Sequence, residues 1–181
     1  CDTAGVIGGG TMGVGIATAM LLAGITVTIL ETSTERADNA KAAIEKNLAS
    51  AVKRGKLSEK ARDERLASLS ASADLTDLSY VDVVVEAVFE DLAVKTEIFQ
   101  KLDKICKPGA VLGTNTSYLD VNDIAAATSR PESVVGLHFF SPAHIMRLLE
   151  VVVADKTADD VVATALAMAA RMKKVAVRSG V

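Results

Sequence analysis

An α/β fold, with a mostly parallel, doubly wound sheet carrying helices on both faces, is what this 181-residue sequence predicts. Three observations carry the prediction. Short apolar runs of strand type alternate with longer helical patterns along the whole chain. The core is aliphatic: hydrophobic residues make up 50% of the chain but aromatics only 3%, with no Trp, a composition suited to strands buried on both faces. A glycine cluster, Gly8-Gly9-Gly10 with Gly13, separates the first strand pattern from the first helical one.

The elements are predicted in order as follows. Thr3 to Ile7 reads as a strand and Gly13 to Ala23, rich in Ala and Leu, as a helix. After the punctuation of Gly24 comes a strand from Ile25 to Leu30. Thr34 to Arg54 is a long charged helix closed by Gly55. Leu57 to Leu66 reads as a further helix with Ser58 as N-cap, and a short strand follows near Leu69 to Ala71. Val81 to Ala87, Val-Asp-Val-Val-Val-Glu-Ala, reads as the most buried strand. Leu92 to Ile105 is helical and stops at Pro108-Gly109. Val111 to Thr114 is a strand, Asp120 to Ala127 a short helix, and Val134 to His138 and Leu149 to Val153 are strands. Asp159 to Lys173 and Val175 to Val177 read as the last helix and strand.

Charge and cysteine content narrow the classes of function. The net charge of −3 and a pI near 5.4 do not give the basic field that nucleic-acid binding needs. Cys1 and Cys106 alone make no disulfide framework, and Cys106 reads as a small buried hydrophobe. There is no signal-peptide pattern, and the run from Val161 to Ala170 is too short to span a bilayer. The expectation is a soluble, membrane-free protein of the cytoplasm or an organelle matrix. Both ends look abrupt, as in a piece of a longer polypeptide.

The spacing G-x-G-x-x-G at Gly8, Gly10 and Gly13 is weak on its own, but its context is specific. It follows a strand, opens a helix, and precedes a second strand that ends on the acidic Glu31, about 20 residues on. Gly8 permits the tight turn, Gly10 leaves room for a pyrophosphate against the backbone, and Gly13 lets the helix pack closely on the strand. The helix N-terminus offers N–H groups and a positive dipole to phosphates. Glu31 can accept from adenosine ribose hydroxyls and would repel a 2′-phosphate, so the expected cofactor is NAD. The pattern is that of a Rossmann-type domain.

Ligands of such sheets bind beyond the C-terminal strand ends, and polar residues gather there. Glu86 and Glu90 end or follow the Val-rich strand; Asn115, Thr116 and Ser117 follow the next; His138 closes the strand from Val134. Taking the proton of an alcohol while hydride leaves needs a base that titrates near neutrality, which His does. Of the two histidines, strand-end placement favours His138 over His144, which follows Pro142. Glu150 interrupts the run Leu148-Leu149-Glu150-Val151-Val152-Val153. It is either the carboxylate partner of the base or a water-facing residue of an edge strand.

These residues lead to a family. The chain resembles, over essentially its whole length, the N-terminal domain of 3-hydroxyacyl-CoA dehydrogenases. The segments that match are Gly8-Gly9-Gly10-Thr11-Met12-Gly13-Val14-Gly15-Ile16-Ala17, Val85-Glu86-Ala87-Val88-Phe89-Glu90, Thr114-Asn115-Thr116-Ser117, Gly136-Leu137-His138-Phe139-Phe140-Ser141-Pro142 and Leu149-Glu150-Val151-Val152. The style is closest to bacterial or peroxisomal multifunctional β-oxidation proteins, and stand-alone dehydrogenases are similar.

The resemblance implies NAD-dependent oxidation of an L-3-hydroxyacyl-CoA. His138 matches the base, Glu150 its carboxylate partner, and Ser117 the residue that hydrogen-bonds the reacting oxygen. Glu90 and Lys95 match positions near the nicotinamide ribose. The cofactor set also takes in Thr11, Met12, Ala87, Val88, Asn115 and Ser141, the last where stand-alone enzymes often carry Asn. No metal is implied. The family's helical C-terminal domain, which closes the acyl-CoA cleft and usually mediates homo-oligomerisation, is absent from this chain, so residues 1–181 are expected to form the NAD-binding domain alone.

Two other classes share the scaffold. β-Hydroxyacid dehydrogenases of small free acids use a Lys base, against which the His-Phe-Phe-Ser-Pro segment speaks. Non-catalytic NAD-binding proteins would not need His138, Glu150 and Ser117 together. The basic cluster Lys53, Arg54 and Lys56 reads as a solvated helix end in preference to a coenzyme A phosphate site.

Overall fold

A computed structural model describes residues 1–181. Eight strands form one sheet: β1 (Thr3–Ile7), β2 (Thr26–Leu30), β3 (Leu69–Ser72), β4 (Val83–Glu86), β5 (Val111–Thr114), β6 (Val134–Phe139), β7 (Leu148–Val153) and β8 (Val175–Gly180). Six helices connect them: α1 (Thr11–Leu22), α2 (Thr34–Lys53), α3 (Glu59–Ala67), α4 (Leu92–Ile105), α5 (Val121–Ala125) and α6 (Asp159–Arg171). The spatial strand order is β3-β2-β1-β4-β5-β6-β7-β8. The first six strands are parallel, β7 pairs antiparallel to β6, and β8 runs parallel to β7. The strand order reverses direction at β1, so the crevice between β1 and β4 is the topological switch point, where such sheets bind ligands.

Period-two alternation divides the core between the two faces of the sheet. Ala4, Val6, Val83, Val85, Val135, Leu137 and Phe139 pack with Ile16 and Met20 of α1, Ile44 and Leu48 of α2, and Met168 of α6. Ile7, Val84, Leu112 and Val134 pack on the opposite face with Phe99 and Leu102 of α4 and with Val121 and Ile124 of α5. Helix α1 is buried on nearly every side, as its Ala- and Leu-rich sequence without a polar face requires. The layered fold is therefore the predicted one.

Local differences from the sequence reading have simple causes. Helix α1 starts at Thr11, two residues before Gly13, because Gly10 is its N-cap. Ser58 caps α3 as expected, its side chain accepting from Ala61 N–H at 3.1 Å, although the helix begins only at Glu59. The buried strand is shorter than Val81 to Ala87. Asp82 leaves it to accept the amides of Asp2 and Thr3 and the Lys107 ammonium. Two short 3-10 turns, Leu75–Leu78 and Pro131–Ser133, went unread because neither repeats an apolar period. Strand β8 extends to Gly180 through its pairing with β7.

Candidate active site

Two loops meet at the switch point, and backbone freedom brings them together. Gly8 has φ +106°, and a Cβ there would lie 2.8 Å from the Ala87 carbonyl oxygen. The glycine loop therefore closes against the Ala87-Val88 segment that follows β4. A Cβ on Gly13 would come within 1.7 Å of the Gly8 oxygen, so the first turn of α1 packs directly on that loop. At Gly10 an added Cβ would meet nothing within 4 Å, and no side chain caps the helix. Thr11 and Met12 thus open an uncapped helix N-terminus beside free space, the arrangement that receives phosphate.

A cavity of about 670 Å³ begins here, lined by Gly8, Gly9 and Gly10, by Leu30 and Glu31 at the end of β2, and by Ala87 and Val88. It runs on between α2 and α4 to Arg36, Asn39, Leu75, Ile98 and Lys101. The sequence reading missed this far wall. Asn39 and Lys101 are ordinary polar helix residues whose shared cavity exists only once α2 and α4 flank the crevice, and Leu75 belongs to an unread turn.

Glu31 stands at the cavity mouth with its Oε1 accepting Gly9 N–H at 2.7 Å and its Oε2 accepting Thr32 N–H at 3.0 Å. Partial burial works to raise its pKa, but the two amides and Arg36 outweigh it, and the carboxyl is held below the usual range. Arg36, 3.9 Å from Oε2, is otherwise solvated. A permanent anion at the end of β2, an open Gly10 and an uncapped helix fit the ribose and pyrophosphate of NAD.

Further along the same edge, β6 and β7 place His138 opposite Glu150 in register. Leu137 and Phe139 are buried on one face with Leu149 and Val151, so alternation turns His138 and Glu150 together to the other. His138 Nδ1 is 3.3 Å from Glu150 Oε1. Glu150 is not on an edge strand facing water alone: β8 covers its flank, and its side chain keeps 37% exposure. The Phe140 ring leans on the imidazole, centroids 4.4 Å apart. Asn115 joins the neighbouring strand ends, its Oδ1 accepting Phe139 N–H at 2.8 Å.

Between these two regions lies a polar cluster. Glu90 Oε2 accepts from Thr116 Oγ1 at 2.8 Å and from Ser117 N–H at 3.1 Å, with Ser117 Oγ at 3.4 Å. Burial works to raise the Glu90 pKa, and the Thr116 hydroxyl, the Ser117 amide and Lys95 more than reverse it. Lys95, expected near the nicotinamide ribose, is the buried member of this cluster. It has no exposed surface, because its ammonium is drawn inward to Glu86 and meets the site through Glu90 and the Val88 carbonyl. Ser141 is exposed in the loop after β6. His144, the other histidine, has a buried Nδ1 without a hydrogen-bond partner; burial, Arg54 and Lys174 lower its pKa.

The sequence profile of the 3-hydroxyacyl-CoA dehydrogenase NAD-binding domain matches residues 3–180. The chain belongs to that family. It is 42% identical to the peroxisomal bifunctional enzyme of Danio rerio over 179 residues, 99% of this chain and 24% of that protein. With the 3-hydroxybutyryl-CoA dehydrogenase of Mycobacterium tuberculosis (strain ATCC 25618 / H37Rv) it shares 45% identity over 149 residues, 82% of this chain and 52% of that protein. The fold matches the crystal structure of 3-hydroxybutyryl-CoA dehydrogenase from Escherichia coli K12 with a TM-score of 0.96 at 39% identity, over 99% of this chain and 38% of that one. The chain thus spans about a quarter of the peroxisomal relatives' length. It is the family's NAD-binding domain, and no helix in it is long and apolar enough to cross a membrane.

Proposed function

We propose that this domain carries the NAD-dependent oxidation of an L-3-hydroxyacyl-CoA to the 3-ketoacyl-CoA, a step of fatty-acid β-oxidation, and its reversal. The observation that carries the reading is the His138–Glu150 pair at 3.3 Å, on the same sheet edge as the dinucleotide crevice. Bound NAD supplies the hydride acceptor. With Nδ1–H directed at Glu150, His138 keeps Nε2 free to take the proton of the C3 hydroxyl as the C3 hydrogen leaves with its electron pair. Glu150 fixes that tautomer and stabilises the imidazolium that forms. Ser117 hydrogen-bonds the C3 oxygen. Gly8, Gly10, Thr11, Met12 and Gly13 seat the pyrophosphate and Glu31 the adenosine ribose. Ala87, Val88, Glu90, Asn115 and Ser141 line the nicotinamide side.

The substrate partner on this reading is an acyl-CoA, of which this domain forms one wall. A helical domain of the parent protein supplies the other wall and the contacts of a homo-oligomer. Relatives named as peroxisomal and bacterial proteins support an organelle matrix or a bacterial cytoplasm as its place.

Acetoacetyl-CoA-dependent oxidation of NADH, followed by absorbance after a titration for NADH binding, tests the reading. Turnover is expected, and His138→Ala is expected to lower kcat by roughly 10²–10⁴-fold while NADH still binds. Equal loss of NADH binding and turnover would make His138 a structural residue. If this domain binds NADH without turnover, the same assay on the parent chain decides; no turnover there refutes the proposal.

A further inference from the structure

The proposed chemistry leaves Glu86 without a task, yet every part of it is bonded. The carboxylate has no exposed surface. Its Oε1 accepts the Thr114 hydroxyl at 2.7 Å, and its Oε2 accepts Val88 N–H at 2.9 Å and the Lys95 ammonium at 2.6 Å. Its own carbonyl accepts Asn115 N–H at 2.8 Å. Burying a carboxylate and an ammonium is costly, and an apolar pair of similar volume commonly serves stability as well or better. The arrangement therefore asks for a use beyond holding the fold.

The Lys95 ammonium donates to Glu86 Oε2 and to the Val88 carbonyl at 3.2 Å, and it pairs ionically with Glu90 Oε1 at 3.2 Å. The ammonium sits closer to Glu86 than to Glu90. Two carboxylates share one cation, and the inner one holds it. Glu90 is thereby left with its Oε2 turned outward to Thr116 and Ser117. A line of contacts runs from the buried sheet to the crevice: Thr114, Glu86, Lys95, Glu90, Ser117. The Val88 amide and carbonyl, both tied to this line, fix the loop against which Gly8 closes.

We propose that Glu86 is a positioning residue for the nicotinamide half of the dinucleotide, acting through Lys95 on the Val88 loop, the Glu90 carboxylate and Ser117. The inference rests on the reading that NAD lies with its adenosine at Glu31 and its nicotinamide toward Glu90. In Glu86→Gln the carboxamide keeps acceptors for Val88 and Lys95 and a donor for Thr114 Oγ1, but loses the charge. Lys95 then draws Glu90 inward and away from Ser117.

The test is a fluorescence titration of NADH beside a calorimetric titration of ADP, which fills only the adenosine end. Glu86→Gln is expected to weaken NADH by about tenfold, the scale of a hydrogen bond to a charged group. ADP should stay within about twofold of wild type, the range of an uncoupled site. Thr114→Val, which removes only the donor at Oε1, should weaken NADH in the same direction and again spare ADP; it carries the test if Glu86→Gln does not fold. Unchanged NADH affinity, or equal weakening of NADH and ADP, overturns the proposal and leaves Glu86 a structural residue. A wild-type domain that binds ADP but not NADH would overturn the underlying reading instead.

Discussion

His138 and Glu150 face each other across the junction where the sheet turns from parallel to antiparallel, and their Nδ1–Oε1 distance of 3.3 Å follows from that register. Directly opposed residues of an antiparallel pair have Cβ atoms about 4.5–5.5 Å apart, within reach for an imidazole and a carboxylate. Glu150→Gln keeps an acceptor for Nδ1–H but removes the charge that stabilises the imidazolium. We expect kcat to fall by about 10²-fold with NADH affinity unchanged, read by steady-state kinetics beside an NADH titration.

The two glycines of the crevice should separate stability from binding. At Gly10→Ala the cost of Ala at an N-cap is offset by the reduced entropy of the unfolded chain, each about 0.5–1 kcal/mol. Its melting temperature should stay near wild type while NADH binds at least about tenfold more weakly, because the methyl fills the space left for pyrophosphate. Gly13→Ala drives a methyl into the Gly8 carbonyl and should lower both. Thermal melts and NADH titrations of the two variants, side by side, check this.

On the proposed reading, Glu31 sets the choice between dinucleotides. Its carboxylate occupies the Gly9 amide and neutralises Arg36 from 3.9 Å. In Glu31→Ser the amide and the guanidinium become free to meet a 2′-phosphate. The ratio of NADPH to NADH affinity should rise by at least about tenfold, the scale of one charge-assisted hydrogen bond. A ratio that stays at the wild-type value would show that Arg36 does not reach the phosphate.

Asp82 should make the fold acid-sensitive. The Lys107 ammonium, followed by the Asp2 amide, holds its carboxyl far below the ordinary value of 3.8. A depressed folded-state pKa contributes stability that is full above the unfolded value and is lost as pH falls through the folded one. Asp82→Asn should therefore melt lower than wild type at about pH 7, and the gap should narrow below about pH 4. A gap independent of pH would mean that the carboxylate's charge contributes nothing.

Much of the molecule was legible in residue order because its signals are local. Helix α4 and strand β5 have the predicted bounds; Pro108-Gly109 ends the one and a Gly-containing apolar run defines the other. The glycine loop, its helix and Glu31 are joined by short-range spacing, so their assembly at one crevice could be read directly. The 3-10 turns could not, since four residues or fewer carry no period. Nor could the depth of Lys95: one Lys in an amphipathic helix looks like any other until Glu86, Thr114 and Val88 surround it.

By itself the sequence determined the layered fold, the dinucleotide crevice and the set of polar residues at the strand ends, because hydrophobic period, glycine spacing and capping act over a few residues. Tertiary structure alone decided how those residues pair. The antiparallel β6–β7 register brought Glu150 Oε1 within 3.3 Å of His138 Nδ1. The flanking of one crevice by α2 and α4 made Asn39 and Lys101 walls of a cavity. Low polarity inside the sheet drew Lys95 to Glu86, because a buried charge is tolerated only beside its opposite.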